Sequence, residues 1–73
     1  MAKTISYDRL WKLLIDRKMN RTELKIKSGI STASLAKLNK GENLTTIVLL
    51  KICNALDCNL SDIMETVENE AND

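Results

Sequence analysis

The stretch ELKIKSGISTASLAKLNKG, residues 23–41, holds both glycines of a 73-residue chain, Gly29 and Gly41, twelve positions apart. Each glycine follows a short run of helix-forming residues. Asn20 reads as an N-cap, Glu23 three positions on completes a capping box, and Met19 can staple against Leu24. Gly29 then supplies the left-handed conformation that stops this helix near Ser28. The device repeats at once: Ser31 is the next N-cap, Ile30 can staple against Leu35, and a helix from Thr32 to about Lys40 is stopped by Gly41. Helices of eight or nine residues are marginal in water, so both need packing against neighbours.

Outward from this unit, Ser6 is expected to cap a first helix with Tyr7, Leu10, Trp11, Leu14 and Ile15 on one buried face. After the loop GENLT, Thr45 or Thr46 caps a fourth helix that turns Leu49, Ile52, Cys53 and Leu56 inward. Ser61 is expected to start a fifth, carrying Ile63, Met64 and Val67. The spacing thus predicts an all-α domain of five helices over residues 1–67, with 68–73 an acidic, disordered tail. Seventy-three residues leave no room for a second domain.

Composition narrows the function. The longest uninterrupted apolar run is Ile47 to Leu50 and the N-terminus has no signal-peptide pattern, so the expected location is the cytoplasm and no membrane partner is expected. Two aromatics, Tyr7 and Trp11, do not make a stacking platform for single strands. Cys53 and Cys58, with no histidine in the chain, fall short of a zinc site, and Cys53 on an apolar stripe reads as a buried, reduced thiol. No metal, cofactor or small-molecule ligand is expected. Without histidine or a phosphate-cradling loop, an enzyme is the weakest reading.

The formal charge of +1 hides a division. Residues 1–40 carry ten Lys/Arg against three acidic residues, a net of +7, and residues 41–73 carry a net of −6. The first half therefore reads as a polyanion-facing end. No acidic residue falls between Ser31 and Gly41. Two short capped helices about a glycine turn make a helix-turn-helix, in which the second enters the major groove N-terminus first. Leu35 and Leu38 face inward, leaving Thr32, Ala33, Ser34, Ala36 and Lys37, all small or polar, free to approach base edges.

NRTELKIKSGISTASLAKLNKGENLTTIVLLKICNALDCNLSDIME, residues 20–65, resembles the phage-repressor (Cro/CI-type, XRE) helix-turn-helix family. The resemblance lies in the joint spacing of Asn20, Leu24, the GIS turn at 29–31, Leu35, Leu38, Gly41 and the run LLKICNALDCNLSDI. It implies a compact, lambda-repressor-like five-helix domain that binds double-stranded DNA and represses transcription as a homodimer. By the same resemblance Thr32, Ala33, Ser34 and Lys37 match base-reading positions, and Arg21, Ser31, Lys40 and Asn43 match backbone-contact positions. Two positions depart from the family pattern: Lys25 stands where a small residue is common, and Asn39 ends the recognition helix. The alternative function is a protein-interaction module, an antitoxin or adaptor on the same fold, supported by Ile47, Val48 and Leu50 beyond the main stripe of the fourth helix.

Overall fold

The computed structural model describes residues 2–68. In chain order these form strand β1 (Lys3–Ser6), helices α1 (Asp8–Asp16), α2 (Arg21–Ser28), α3 (Thr32–Asn39) and α4 (Thr46–Leu56), a 3-10 turn (Leu60–Asp62) and strand β2 (Glu65–Glu68). Each helix is set by the local chemistry of its ends. At α2 the capping box is complete: Asn20 Oδ1 accepts the Glu23 N–H at 2.7 Å and Glu23 Oε1 accepts the Asn20 N–H at 2.9 Å. Ser31 Oγ accepts the Ser34 N–H at 3.0 Å to start α3, and Thr45 Oγ1 accepts the Val48 N–H at 3.3 Å to start α4. Gly29 at φ 77° and Gly41 at φ 72° end α2 and α3. A Cβ at either would meet nothing within 4 Å, so backbone conformation rather than space calls for glycine there.

The helices bury one apolar face each around a single core. Leu10, Leu24, Leu38, Ile52, Leu56 and Ile63 are its largest fully buried side chains, drawn from every helix and from the segment after the 3-10 turn. Leu49, Ile52, Cys53 and Leu56 of α4 all point inward, as their spacing predicts. α4 packs mainly on α2, and α3 lies against α2 across the Gly29 turn. Ile30 in that turn is itself buried, and Leu35 packs half-buried against the same core.

Three expectations are corrected. The fifth helix is absent: Ser61 lies in the 3-10 turn, Ile63 is buried just after it, and the chain then runs as β2. Residues 3–6, which carry no helical signal, present an unpaired backbone edge, and β2 joins it antiparallel with Lys3 opposite Glu68, Thr4 opposite Val67 and Ile5 opposite Thr66. β-branched residues at 66 and 67 and an opposite-charge pair at the ends favour this pairing over a lone helical turn. Secondly, α1 begins at Asp8 with Tyr7 in the N-cap position, and the Ser6 hydroxyl accepts only the Asp8 N–H, at 3.2 Å. Thirdly, Ile15 is 75% exposed, because it lies in the last turn of α1, where the buried stripe ends at Leu14. Apart from Glu68, the residues of the expected acidic tail lie outside the described chain.

The division of charge along the sequence does not survive folding intact. Arg9 donates to the Ser61 carbonyl at 2.9 Å and forms an ion pair with Glu65 at 3.2 Å. Arg17 donates to the Leu56 carbonyl, at the C-terminus of α4. Two cations of the basic half are thereby committed to holding the acidic half, and Arg17 also satisfies a carbonyl that the helix end leaves open.

Tyr7, 3% exposed, ties the start of α1 to the loop after α3 by donating from its hydroxyl to the Glu42 carbonyl at 3.0 Å. Burial pushes the phenol up from its ordinary value, with the Leu44 backbone offsetting this in part, so it remains the donor. Tyr7→Phe keeps the ring and deletes this bond. Its expected cost is about 1 kcal/mol, read as a lower urea midpoint at unchanged m-value.

Candidate nucleic-acid interface

One face of α3 is open to solvent along most of its length. Leu38 is the one buried residue of this helix, and Ser34 and Leu35 are half-buried, whereas Thr32, Ala33, Ala36 and Lys37 are exposed. This is the division that a recognition helix needs, one side for the core and the other free to enter a groove. Small side chains at 32, 33 and 36 let the helix backbone approach closely, and Lys37 extends a cation past them.

Ala33, Ser34 and Lys37 line a hollow of about 110 Å³ together with Asn43, Leu44, Thr45 and Val48. The fold thus gathers three of the four candidate base-reading residues with Asn43, a candidate for backbone contact from the loop. Thr32 lies outside the hollow, in the first turn of α3. Ser31 has a structural task of its own: its hydroxyl caps the helix and also meets the Ser34 hydroxyl at 3.1 Å. Lys40, exposed, occupies the C-cap of α3.

Arg21 has more partners than a free phosphate contact would require. Its guanidinium stacks over the Trp11 ring, 3.7 Å from the ring centroid, and one nitrogen donates to Asn39 Oδ1 at 2.6 Å. Trp11 belongs to α1, Arg21 to α2 and Asn39 to α3, so one side chain spans three helices at the edge of the candidate surface. A guanidinium carries five N–H donors, and with one on Asn39 the rest stay available for an anion. Periodicity placed Trp11 in the core; it is half-buried, and its second face holds Arg21. Neither contact has a local sequence signature, since ten and eighteen positions separate the partners. Lys25, at a position where the family resemblance favours a small residue, is half-buried and leaves the Gly29 turn intact, its carbonyl accepting the Gly29 N–H at 2.9 Å. Its aliphatic stem can lie along the helix crossing with the amine in water.

Arg21 lies outside the apolar core, yet its contacts give it a share in stability. Cation–π contacts at exposed sites contribute about 0.5–1 kcal/mol. Arg21→Ala is therefore expected to lower the unfolding free energy measurably, where a residue that touched only phosphate would leave it unchanged. A double-mutant cycle of Arg21→Ala with Asn39→Ala, followed by urea denaturation, should return a coupling on the order of 0.5 kcal/mol or more. Trp11, the one tryptophan, reports the loss of the stacked cation as a change in its native-state emission.

Comparison with known proteins agrees with this geometry. Residues 9–69 match the Cro/C1-type HTH DNA-binding domain. The crystal structure of transcriptional regulator VanUg, form II, is similar, with 45% sequence identity, a TM-score of 0.89, and coverage of 94% of this chain and 92% of that one. No curated protein matches the chain. Among the described residues no helix is long and apolar enough to cross a membrane. With a family match over most of its length and a capped two-helix unit presenting α3, the chain belongs to the Cro/C1-type helix-turn-helix DNA-binding family and is not an enzyme.

Proposed function

We propose that the chain is a sequence-specific transcriptional repressor that binds double-stranded DNA in the cytoplasm as a homodimer, reading the major groove with α3. The observation that carries this reading is the exposed face of α3, where Thr32, Ala33 and Lys37 stand clear of the core beside Ser34, with no carboxylate in the helix. Base reading falls to these four residues. Phosphates are gripped by Arg21, Ser31, Lys40 and Asn43 around the rim. The similarity to a transcriptional regulator at 45% identity supports assigning regulation to this chain as well.

The homodimer is expected to form through the C-terminal part of the chain, with exposed apolar residues of α4 as its main support. Ile47 is 67% exposed and Leu50 53% exposed, and they are spaced i, i+3 on a side of α4 apart from its buried stripe. Val67, on β2 at 37% exposure, adds a little to this surface, whereas Met64 is packed against the core and adds none. The same exposed residues, with Ile26 at 74%, are what a protein-interaction module would use. Sedimentation at tens of micromolar separates these readings: a dimer is expected, lost in Leu50→Lys, and a strict 8.2 kDa species on and off DNA contradicts the dimer.

Selection from a random duplex pool tests the function directly, with an enriched two-fold motif expected. Lys37→Ala should then cost about 1–3 kcal/mol on that motif and relax preference at one base pair per half-site, with much less loss on random DNA, since guanine O6 and N7 are its natural acceptors. Log affinity should fall linearly with log salt, by about 0.9 for each phosphate neutralised, and Lys40→Ala should make that line shallower for all sequences alike. Failure to enrich any motif, together with affinity indifferent to salt, would favour the interaction module.

A further inference from the structure

Cys53 and Cys58 are the two cysteines of the chain, and both are free thiols. Five positions part them in sequence, but the end of α4 brings them together. Asp57 takes the left-handed conformation, φ 52°, and reverses the backbone, so that the Cys58 N–H donates to the Cys53 carbonyl at 3.0 Å. A bond between residues five apart across a left-handed stop is the outer bond of a Schellman ending, and side chains at its two ends commonly meet. Here the Cys53 thiol lies close enough to help push the Cys58 thiol up from its ordinary value. The direct N–H···O bond sets the two backbones side by side, as a disulfide requires, since it spans Cα atoms only about 4.4–6.8 Å apart.

Access is asymmetric. Cys53 is 7% exposed and belongs to the core, while Cys58 is half-buried and lines a groove of about 440 Å³ with Leu13, Asp16, Arg17 and Ser61. One thiol therefore meets solvent and the other stands behind it. This groove shares no lining residue with the hollow beside α3.

We propose that Cys53 and Cys58 form an oxidation site that closes to a reversible intramolecular disulfide under peroxide. The Cys58 sulfur attacks one peroxide oxygen, the O–O bond breaks, and the departing hydroxide takes the thiol proton to leave as water. Cys58 is then a sulfenic acid. The Cys53 sulfur attacks the Cys58 sulfur, the S–S bond forms, the S–O bond breaks, and the hydroxide leaves as a second water with the Cys53 proton. Two thiols lose two electrons and the peroxide gains them. Burial, with Cys53 and Asp62 nearby, pushes the Cys58 thiol up, and Arg17 offsets this in part.

The test uses the full chain, treated with hydrogen peroxide, quenched, alkylated and cut by trypsin. No lysine or arginine follows Lys51, so both cysteines stay on one peptide, residues 52–73. Expected is an unalkylated peptide lighter by two hydrogen atoms, which regains both labels after dithiothreitol, from a chain that remains a single copy under non-reducing denaturing conditions. The oxidised protein should also melt at a higher temperature than the reduced one, because a crosslink formed in native geometry constrains the unfolded chain. Cys58→Ser, altered at the half-buried position, should leave Cys53 alkylatable only after unfolding, and Cys53→Ala should leave a sulfenic acid on Cys58 that dimedone traps. Full alkylation of both thiols after methionine has oxidised, a disulfide between copies, or an oxidised chain that melts lower than the reduced one would each overturn the proposal.

Discussion

The structure depends on the shared burial of Leu24 and Leu38, 0% and 1% exposed, against the α4 core residues, because α2 and α3 have eight residues each and cannot persist without it. Every other feature of the helix-turn-helix follows from that need. Caps at Asn20 and Ser31 and left-handed stops at Gly29 and Gly41 fix where each helix begins and ends, which leaves the apolar contacts to fix only their mutual angle. Ile30 buried in the turn pins the junction from below. With the ends and the junction fixed, α3 has little freedom to roll, and its small exposed residues keep one orientation toward solvent.

A second layer of contacts holds this unit to the rest of the chain at its edges. Arg21 joins three helices by stacking on Trp11 and bonding Asn39, and Tyr7 holds the loop that carries Asn43 through the Glu42 carbonyl. Both are polar contacts at the margin of an apolar core, where direction matters more than area. They place the candidate phosphate-gripping residues by the same interactions that stabilise the fold. A side chain such as Arg21 thereby has two duties, and a loss of binding on its removal mixes them, whereas exposed Lys37, with no partner duty of that kind, reports on reading more cleanly.

How much of this was legible in the sequence follows from how local the signals are. The caps at Asn20, Ser31 and Thr45, the glycine stops and the inward stripe of α4 are written within four or five residues, and α2, α3 and α4 lie where those signals put them. The strand at Glu65–Glu68 was not legible, because its cause is a partner edge at Lys3–Ser6, about sixty positions away, and Ile63, Met64 and Val67 fit a helical turn equally well. Long-range polar contacts were hidden for the same reason. The charge division pointed to an anion-facing half, but it could not show that Arg9 and Arg17 are drawn to Ser61, Glu65 and Leu56. Among the candidate interface residues the exposed face of α3 was readable from period alone, whereas the hollow that joins it to Asn43 needed the loop in place.

The two cysteines show the same contrast in reverse. Cys53 on an apolar stripe was correctly read as buried, and the periodicity that identified it ended at Leu56, so it said nothing about Cys58. What joins them is one residue, Asp57, held in a conformation costly for any side chain but glycine's, about 1 kcal/mol or more. Such strain persists only where surrounding contacts over-determine it. Here the Arg17 bond to the Leu56 carbonyl, the Cys58 bond to the Cys53 carbonyl and the burial of Ile63 all hold the chain on either side of the reversal. The turn that ends α4 is thus the same feature that sends the chain toward the 3-10 turn and β2, so the thiol pair and the closing strand have a common origin in the left-handed stop at position 57.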